Sequence, residues 1–219
     1  SEVGNKINNQ PGKIFLLENL RFHKEELENS ESFAKRVTQN FDTFILDAFG
    51  AAHRRHSSIV SFGKFIESYQ GKLMTNEVEN LQLLVKSPQK PFTVMLGGAK
   101  VSDKLELINK LLPIVDNLLI GGGMCFTFLK ALGNNIGSSL CEDDYLNTAK
   151  ELLESENGHK IHLPSDFGVT KSIDSGLRKD KYITEFSNDD IGIDISNKSI
   201  NTFKTILKNS NTVFWNGPM

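Results

Sequence analysis

A chain of 219 residues has room for one large or two modest domains, and 38% hydrophobic with 24% charged residues is the balance of an ordinary globular protein. The formal net charge of −2 removes any global electrostatic case for nucleic acid or an acidic membrane, so an anion site here has to be local. Two cysteines, Cys125 and Cys141, form neither a disulfide framework nor a metal-ligand spacing, no apolar run approaches a membrane span, and no signal peptide is visible. Both thiols read as reduced, in keeping with a cytoplasmic setting.

Residues 1–12 are polar and turn-rich. Residues 13–17 (KIFLL) read as a short buried strand, followed by a polar loop over 18–28. Ser30 is placed to cap a helix whose stripe is Phe33, Val37 and Phe41. Residues 43–46 (TFIL) form the next predicted strand, leading to Asp47 and a basic cluster of His53, Arg54, Arg55 and His56. A helix is expected from Ser57 or Ser58 to Tyr69, with Ile59, Phe62, Phe65 and Ile66 inward. After Gly71 a long helix over 73–87 carries Met74, Val78, Leu81 and Val85, and Pro88 and Pro91 end it. This helix is the candidate connector between two domains.

Residues 93–104 (TVMLGGAKVSDK) organise the rest: an apolar strand, the Gly97-Gly98 turn, then a predicted helix with Val101, Leu105, Ile108 and Leu112 on one face. A helix N-terminus has unpartnered amides and a favourable dipole, which suits an anion, and Lys100 and Lys104 would reach the same side of it. Taken alone, the stretch also fits a plain βα turn with solvated lysines, and it is neither a P-loop nor G-x-G-x-x-G. A second unit repeats the pattern: residues 117–120 (NLLI), then Gly121-Gly122-Gly123 and a helix from Met124 to Leu132. Two such turns at neighbouring strand ends flank the crevice where open α/β sheets bind ligands, and a phosphate-bearing ligand is favoured.

Further along, a helix is expected over 143–154 and a strand at 161–163, with 170–190 a long surface excursion. Ser196 or Asn197 caps a last helix bearing Ile200, Phe203 and Leu207, and 213–215 is the final strand, running into a turn at Asn216-Gly217-Pro218. The chain reads as cut just after that strand, and a fragment is expected. Alternating strands and helices predict a parallel α/β sheet.

Chemistry is concentrated at strand ends. Arg21, His53 and Arg54 suit a basic pocket for a carboxylate or phosphate, since arginine offers a fixed fork, although each alone also fits a surface charge. Asp47 reads better as a turn or cap residue than as an acid. No G-x-S-x-G or activated-cysteine pattern occurs, and His159 and His162 lack metal-ligand partners.

Taken together, LLENLRFHKEE (16–26), DAFGAAHRRHSS (47–58), LGGAKVSDK (96–104), LIGGGMCFTFLK (119–130), IGSSL (136–140) and VFWNGPM (213–219) resemble phosphoglycerate kinases, in the family's order and spacing. The resemblance implies an α/β fold of two Rossmann-like parallel-sheet lobes joined by a hinge helix, both incomplete in this chain. It divides the chain into the second half of a 3-phosphoglycerate-binding domain (1–72), the hinge helix (73–88) and a truncated nucleotide-binding domain (89–219). It further implies a phosphotransferase that moves a phosphoryl group reversibly between 1,3-bisphosphoglycerate and ADP, giving 3-phosphoglycerate and ATP in glycolysis. Carried over position by position, Lys100 and Lys104 match the catalytic lysines, and Arg21, His53 and Arg54 the substrate-binding patch. Gly98, Ala99, Lys100, Lys104, Gly122, Gly123, Leu140, Gly192, Ile193, Asn216 and Gly217 match the nucleotide site. Mg2+ is implied with ADP or ATP, with no metal ligand in this chain. The other implied properties are a monomer at full length, a cytoplasmic location, and neither nucleic-acid nor membrane partners.

Departures qualify the match. Family elements before the LLENLR strand and after WNGPM are missing, among them the ribose glutamate and the magnesium aspartate. Leu46, Ala51, Arg55, Cys125, Thr75-Asn76 and Ser196-Asn197 differ from the family's usual residues. The chain alone is therefore expected to be inactive and prone to aggregation, and a catalytically inactive nucleotide-binding fragment or pseudo-enzyme is the alternative. An interaction protein built on the His53–His56 cluster is the weakest reading.

Overall fold

The computed structural model describes residues 7, 9, 10 and 12–219, so the polar segment at 1–12 lies mostly outside it. The chain divides into two compact units, Ser1–Gln82 and Leu83–Met219. Both are α/β and both contain parallel strands, as the alternation of strands and helices predicts.

In the first unit a short helix α1 (Lys24–Leu27) precedes α2 (Glu31–Thr38). Ser30 caps α2, its Oγ accepting the Phe33 N–H at 3.4 Å. Phe33 and Ala34 pack on Phe62, with Leu20, Val37 and Phe44 around them, and the Phe44 and Phe62 rings meet edge-on at 5.3 Å. Phe41, expected in this stripe, falls beyond the helix end and is exposed. Strands β1 (Thr43–Leu46) and β2 (Glu67–Gln70) pair in parallel, Thr43 opposite Glu67 through Leu46 opposite Gln70.

Two further expectations fail here. The helix predicted to run to Tyr69 is a wide π-type turn (Ser57–Ser61) and a 3-10 turn (Phe62–Lys64), after which the chain becomes β2. The open edge of β1 takes the backbone groups that a longer helix would have used internally. Residues 13–17 form no strand, and Ile14 and Leu16 are fully exposed. Among the described residues β1 pairs only with β2, so this apolar run has no ladder to join.

Helix α3 (Lys72–Lys86) starts where its N-terminus is met by Asp47, whose Oδ1 accepts the Met74 N–H at 2.8 Å. Asp47 thus acts as a cap. Gly71 is required for it, because a Cβ there would lie 2.3 Å from the Asp47 side chain.

The second unit is built on β3 (Phe92–Leu96), buried throughout. After α4 (Leu105–Leu111) come β4 (Asn117–Ile120), α5 (Met124–Ala131), α6 (Leu146–Glu154) and the short β5 (Ile161–His162). Then β6 (Asp166–Thr170), β7 (Lys179–Tyr182), β8 (Ile191–Ile195), α7 (Asn197–Lys208) and β9 (Thr212–Asn216) complete the unit. The parallel sheet runs β5-β4-β3-β9, and β7-β6-β8 forms a separate antiparallel sheet.

Apolar side chains cover both faces of the parallel sheet, as buried parallel strands require. Phe92, Val94, Leu96, Leu118 and Ile120 join the main core with Phe126 and Phe128, while Met95 and Leu119 pack on Phe203 of α7. His162 is held by Asn117, Nε2 to Oδ1 at 2.9 Å, and burial lowers its pKa. The segment 170–190, expected as surface excursion, supplies β7 and leads into β8, and the antiparallel sheet is an addition to the predicted fold.

Asp190 is buried beside that sheet. Its carboxylate accepts Lys181 Nζ at 2.7 Å and the Ser187 N–H and Oγ at 2.7 and 2.8 Å, with Lys171 Nζ 3.0 Å away. Burial alone would raise its pKa, but Lys181, the Ser187 N–H and Lys171 outweigh burial and hold it well below the carboxylate range. The unfolded chain then binds the proton first, so this stabilisation is complete above the ordinary Asp value of about 4 and lost progressively below it. Thermal melts of Asp190→Asn are therefore expected to show a flatter decline of Tm between about pH 4 and pH 2 than the unsubstituted protein.

Candidate functional site

Three strands of the parallel sheet end side by side, with Leu96 of β3 between Ile120 of β4 and Asn216 of β9. Their turns are tied together through backbone. Gly97 N–H donates to Asn216 O at 3.0 Å, Gly121 N–H to Leu96 O at 2.9 Å, and Met124 N–H to Gly98 O at 3.0 Å. The approach is so close that side chains are excluded. A Cβ on Gly122 (φ +64) would lie 2.6 Å from Gly98 N and O, and one on Gly217 (φ +90) 2.3 Å from Gly97 O. Here the glycines of the sequence are dictated by backbone meeting backbone.

The helix predicted to open after Gly98 begins only at Leu105. Gly98 sits at φ +130, outside helical geometry, and the Ser102 N–H goes to Glu142 Oε2 at 3.0 Å instead of a local carbonyl. Lys100 and Lys104 therefore sit on a loop and at the helix N-cap, not on one helical face, and α4 has only seven residues. Lys100 is exposed. Lys104 is half-buried, with Nζ donating to Asn216 Oδ1 and Cε 3.8 Å from the Cβ position of Gly98.

Around this crevice the structure gathers the other residues of the predicted nucleotide set. Leu140 Cδ2 and Ala99 O lie 2.9 and 3.3 Å from the Cβ position of Gly123. Gly122, Gly123, Gly192 and Ile193 line one cleft, floored by Phe126 and Phe167, whose ring centroids are 4.8 Å apart. The cleft is narrow, about 20 Å³, and the Met219 side chain reaches Gly121. Gly192 N–H is fixed by Ser139 Oγ at 2.9 Å.

In the first unit Arg21 lies on a 3-10 turn (Leu20–Phe22) whose start is capped by Asn19, Oδ1 accepting the Arg21 N–H at 3.0 Å. His53 and Arg54 follow the turn after β1. All three are exposed, and among the described residues none forms an ion pair. His56, from the same basic cluster, instead faces the buried Glu26, Nδ1 to Oε1 at 3.9 Å. Glu26 also accepts the Ser58 N–H and Oγ at 3.0 and 2.6 Å, thirty-two positions away, a distance at which no sequence pattern signals the pairing.

The donor set of the crevice is two lysines and the Asn216 side-chain amide, suited to phosphate oxygens, whereas the Gly97, Gly121, Gly122 and Gly192 N–H groups are bonded to protein acceptors. Among the described residues no group of three His, Cys, Asp or Glu stands ready for a metal. Both cysteines are free, and burial pushes the Cys125 thiol up, out of the reactive range.

The phosphoglycerate kinase family model matches residues 1–219. The chain belongs to this family. The phosphoglycerate kinase of Finegoldia magna is 46% identical over 96% of this chain and 54% of its own length, and one from Thermus thermophilus is 44% identical over 96% and 55%. Among solved structures, the phosphoglycerate kinase from Coxiella burnetii superposes with a TM-score of 0.82 at 36% identity, over 95% of this chain and 55% of that one. The Pyrococcus horikoshii enzyme gives 0.84 at 28% identity, over 99% and 58%. The chain thus spans about half the length of the curated relatives it matches. The family predicted from the motif set is the one the whole chain matches, and mixed α/β structure with parallel sheets agrees with it.

Proposed function

We infer that this chain supplies part of the machinery of phosphoglycerate kinase, whose reaction is reversible transfer of a phosphoryl group between 1,3-bisphosphoglycerate and ADP, giving 3-phosphoglycerate and ATP in glycolysis. The observation that carries the reading is the meeting of the three strand-end turns, with Lys104 anchored on Asn216 beside Gly98 and Gly122. On this proposal residues 1–72 bind 3-phosphoglycerate through Arg21, His53 and Arg54, residues 73–88 are the hinge helix, and 89–219 bind nucleotide.

In the transfer a terminal phosphate oxygen of ADP attacks the acyl phosphate, and the phosphorus–oxygen bond to the carboxyl group breaks, releasing a carboxylate. Nothing covalent is asked of the protein. Lys100 and Lys104 neutralise charge on the moving group, the glycine turns admit the phosphates to close backbone range, and Gly192, Ile193 and Leu140 flank the nucleoside. Magnesium belongs to the proposal as the nucleotide's own companion, supplying charge neutralisation on its phosphates. A cytoplasmic location and a monomeric state at full length complete it. No helix of the described residues is long and apolar enough to cross a membrane.

Calorimetric titration with Mg-ADP tests the reading. Saturable binding is expected, and Lys104→Ala should weaken it about tenfold, the worth of one charge-assisted hydrogen bond to phosphate. A folded chain that takes up no Mg-ADP, or a Lys104→Ala variant that binds equally well, would sink it.

A further inference from the structure

The loop carrying both lysines has no helix beneath it, so something else must order it. Glu142 does so from forty positions away. Its Oε2 accepts the Ser102 N–H at 3.0 Å and its Oε1 the Ser102 Oγ at 2.7 Å. Ser102 lies midway between Lys100 and Lys104. Glu142 is itself fixed, its N–H donating at 3.1 Å to Oγ1 of Thr127, which is 1% exposed on α5. A continuous path therefore runs from the buried face of α5, through one carboxylate, to the middle of the lysine loop. Two residues before Glu142, Leu140 packs over the Gly123 position, so the same segment reaches the other wall of the crevice.

We propose that Glu142 is a positioning residue for phosphate binding, holding the 99–104 loop so that Lys100 and Lys104 address one phosphate group. The inference rests on the nucleotide reading of the crevice. Charge alone predicts the opposite behaviour, because a carboxylate close to an anion site repels the anion. Its removal would then tighten binding. Burial would raise the Glu142 pKa, but the Ser102 hydrogen bonds and the nearby Lys100 lower it overall, so the tether is anionic at neutral pH. Position and charge thus make predictions of opposite sign.

Inorganic pyrophosphate, Mg-ADP and adenosine are titrated into the protein and into Glu142→Ala, Glu142→Gln and Ser102→Ala. Glu142→Ala is expected to weaken pyrophosphate and Mg-ADP about tenfold, leave adenosine unchanged and speed hydrogen exchange at the Ser102 amide. Glu142→Gln keeps one acceptor and should lose less. Pyrophosphate binding that is equal or tighter in both Glu142 variants overturns the proposal, as does an adenosine affinity that falls in step with Mg-ADP. Should Glu142→Ala fail to fold, Ser102→Ala decides, since it removes only the hydroxyl link: an unaltered pyrophosphate affinity overturns the positioning role. Absence of Mg-ADP binding to the unsubstituted protein, or indifference to Lys104→Ala, overturns the nucleotide reading and this proposal with it. Dependence on Lys104 with indifference to Glu142 overturns the positioning role alone.

Discussion

Replacing Gly122 with alanine is expected to destabilise the protein by about 2–5 kcal/mol, from left-handed backbone strain of about 1–2 kcal/mol and steric overlap of about 1–3 kcal/mol. The overlap is with backbone, not with a movable side chain: Gly98 N and O would lie 2.6 Å away and Pro218 O 2.8 Å away. For a chain of this size that corresponds to a fall in Tm of roughly 5–15 °C. Gly133→Ala supplies the control. Gly133 has a similar left-handed φ of +86 but nothing within 4 Å of its Cβ position, so its substitution reports the strain alone. Equal Tm losses for the two variants would show that the close approach of the turns contributes nothing.

Asp166→Ala is expected to cost about 2–4 kcal/mol, combining a lost helix cap with the charge–dipole term at a helix N-terminus. Ser196 is the N-cap residue of α7 but makes no capping hydrogen bond through its own side chain. Asp166 substitutes for it from β6: Oδ2 accepts the Lys198 N–H at 2.9 Å, and Oδ1 the Ser199 N–H and Oγ at 2.7 and 2.5 Å. Removing the carboxylate takes the acceptor from the buried Ser199 N–H and the part-buried Lys198 N–H, while Ser199 Oγ keeps the Asp166 carbonyl, and α7 brings Phe203 onto Met95 and Leu119. Asp166→Asn keeps an acceptor but no charge, and about half the loss is expected to return. Urea unfolding of the three proteins measures this, and an alanine variant as stable as the parent would refute it.

The elements legible in the sequence are those specified by neighbours. Strands β3, β4 and β9, and helices α3 and α7, have unbroken apolar runs or stripes bounded by glycine, proline or a capping residue. Strand β6 (DFGVT) is hidden, because only Phe167 and Val169 are apolar, and Gly168 serves to make room for Arg178. Strand β2 is hidden because the same residues also fit a helical stripe, and only the open edge of β1 decides between the two. The site divides in the same way. Its glycine turns are written locally, since backbone contact demands glycine wherever it occurs. The long-range tethers are not: Glu142 reaches Ser102 of the lysine loop across forty positions, and, elsewhere in the fold, Asp47 reaches Met74 across twenty-seven and Asp166 reaches Ser199 across thirty-three. No periodicity connects such pairs, and only the fold brings them within reach.

The pairing of β3 with β9 also sets an order of events during synthesis. Phe92 pairs with Thr212, so 212 − 92 = 120 residues separate the central strand from its neighbour. At roughly 5–20 residues per second, a ribosome needs about 6–24 s to make that interval. Throughout it, one edge of an apolar strand stands without its final partner, long after β4 has become available on the other side. The nascent chain must therefore shelter Phe92–Leu96 for seconds, and the three-turn crevice takes shape only when Asn216 and Gly217 arrive.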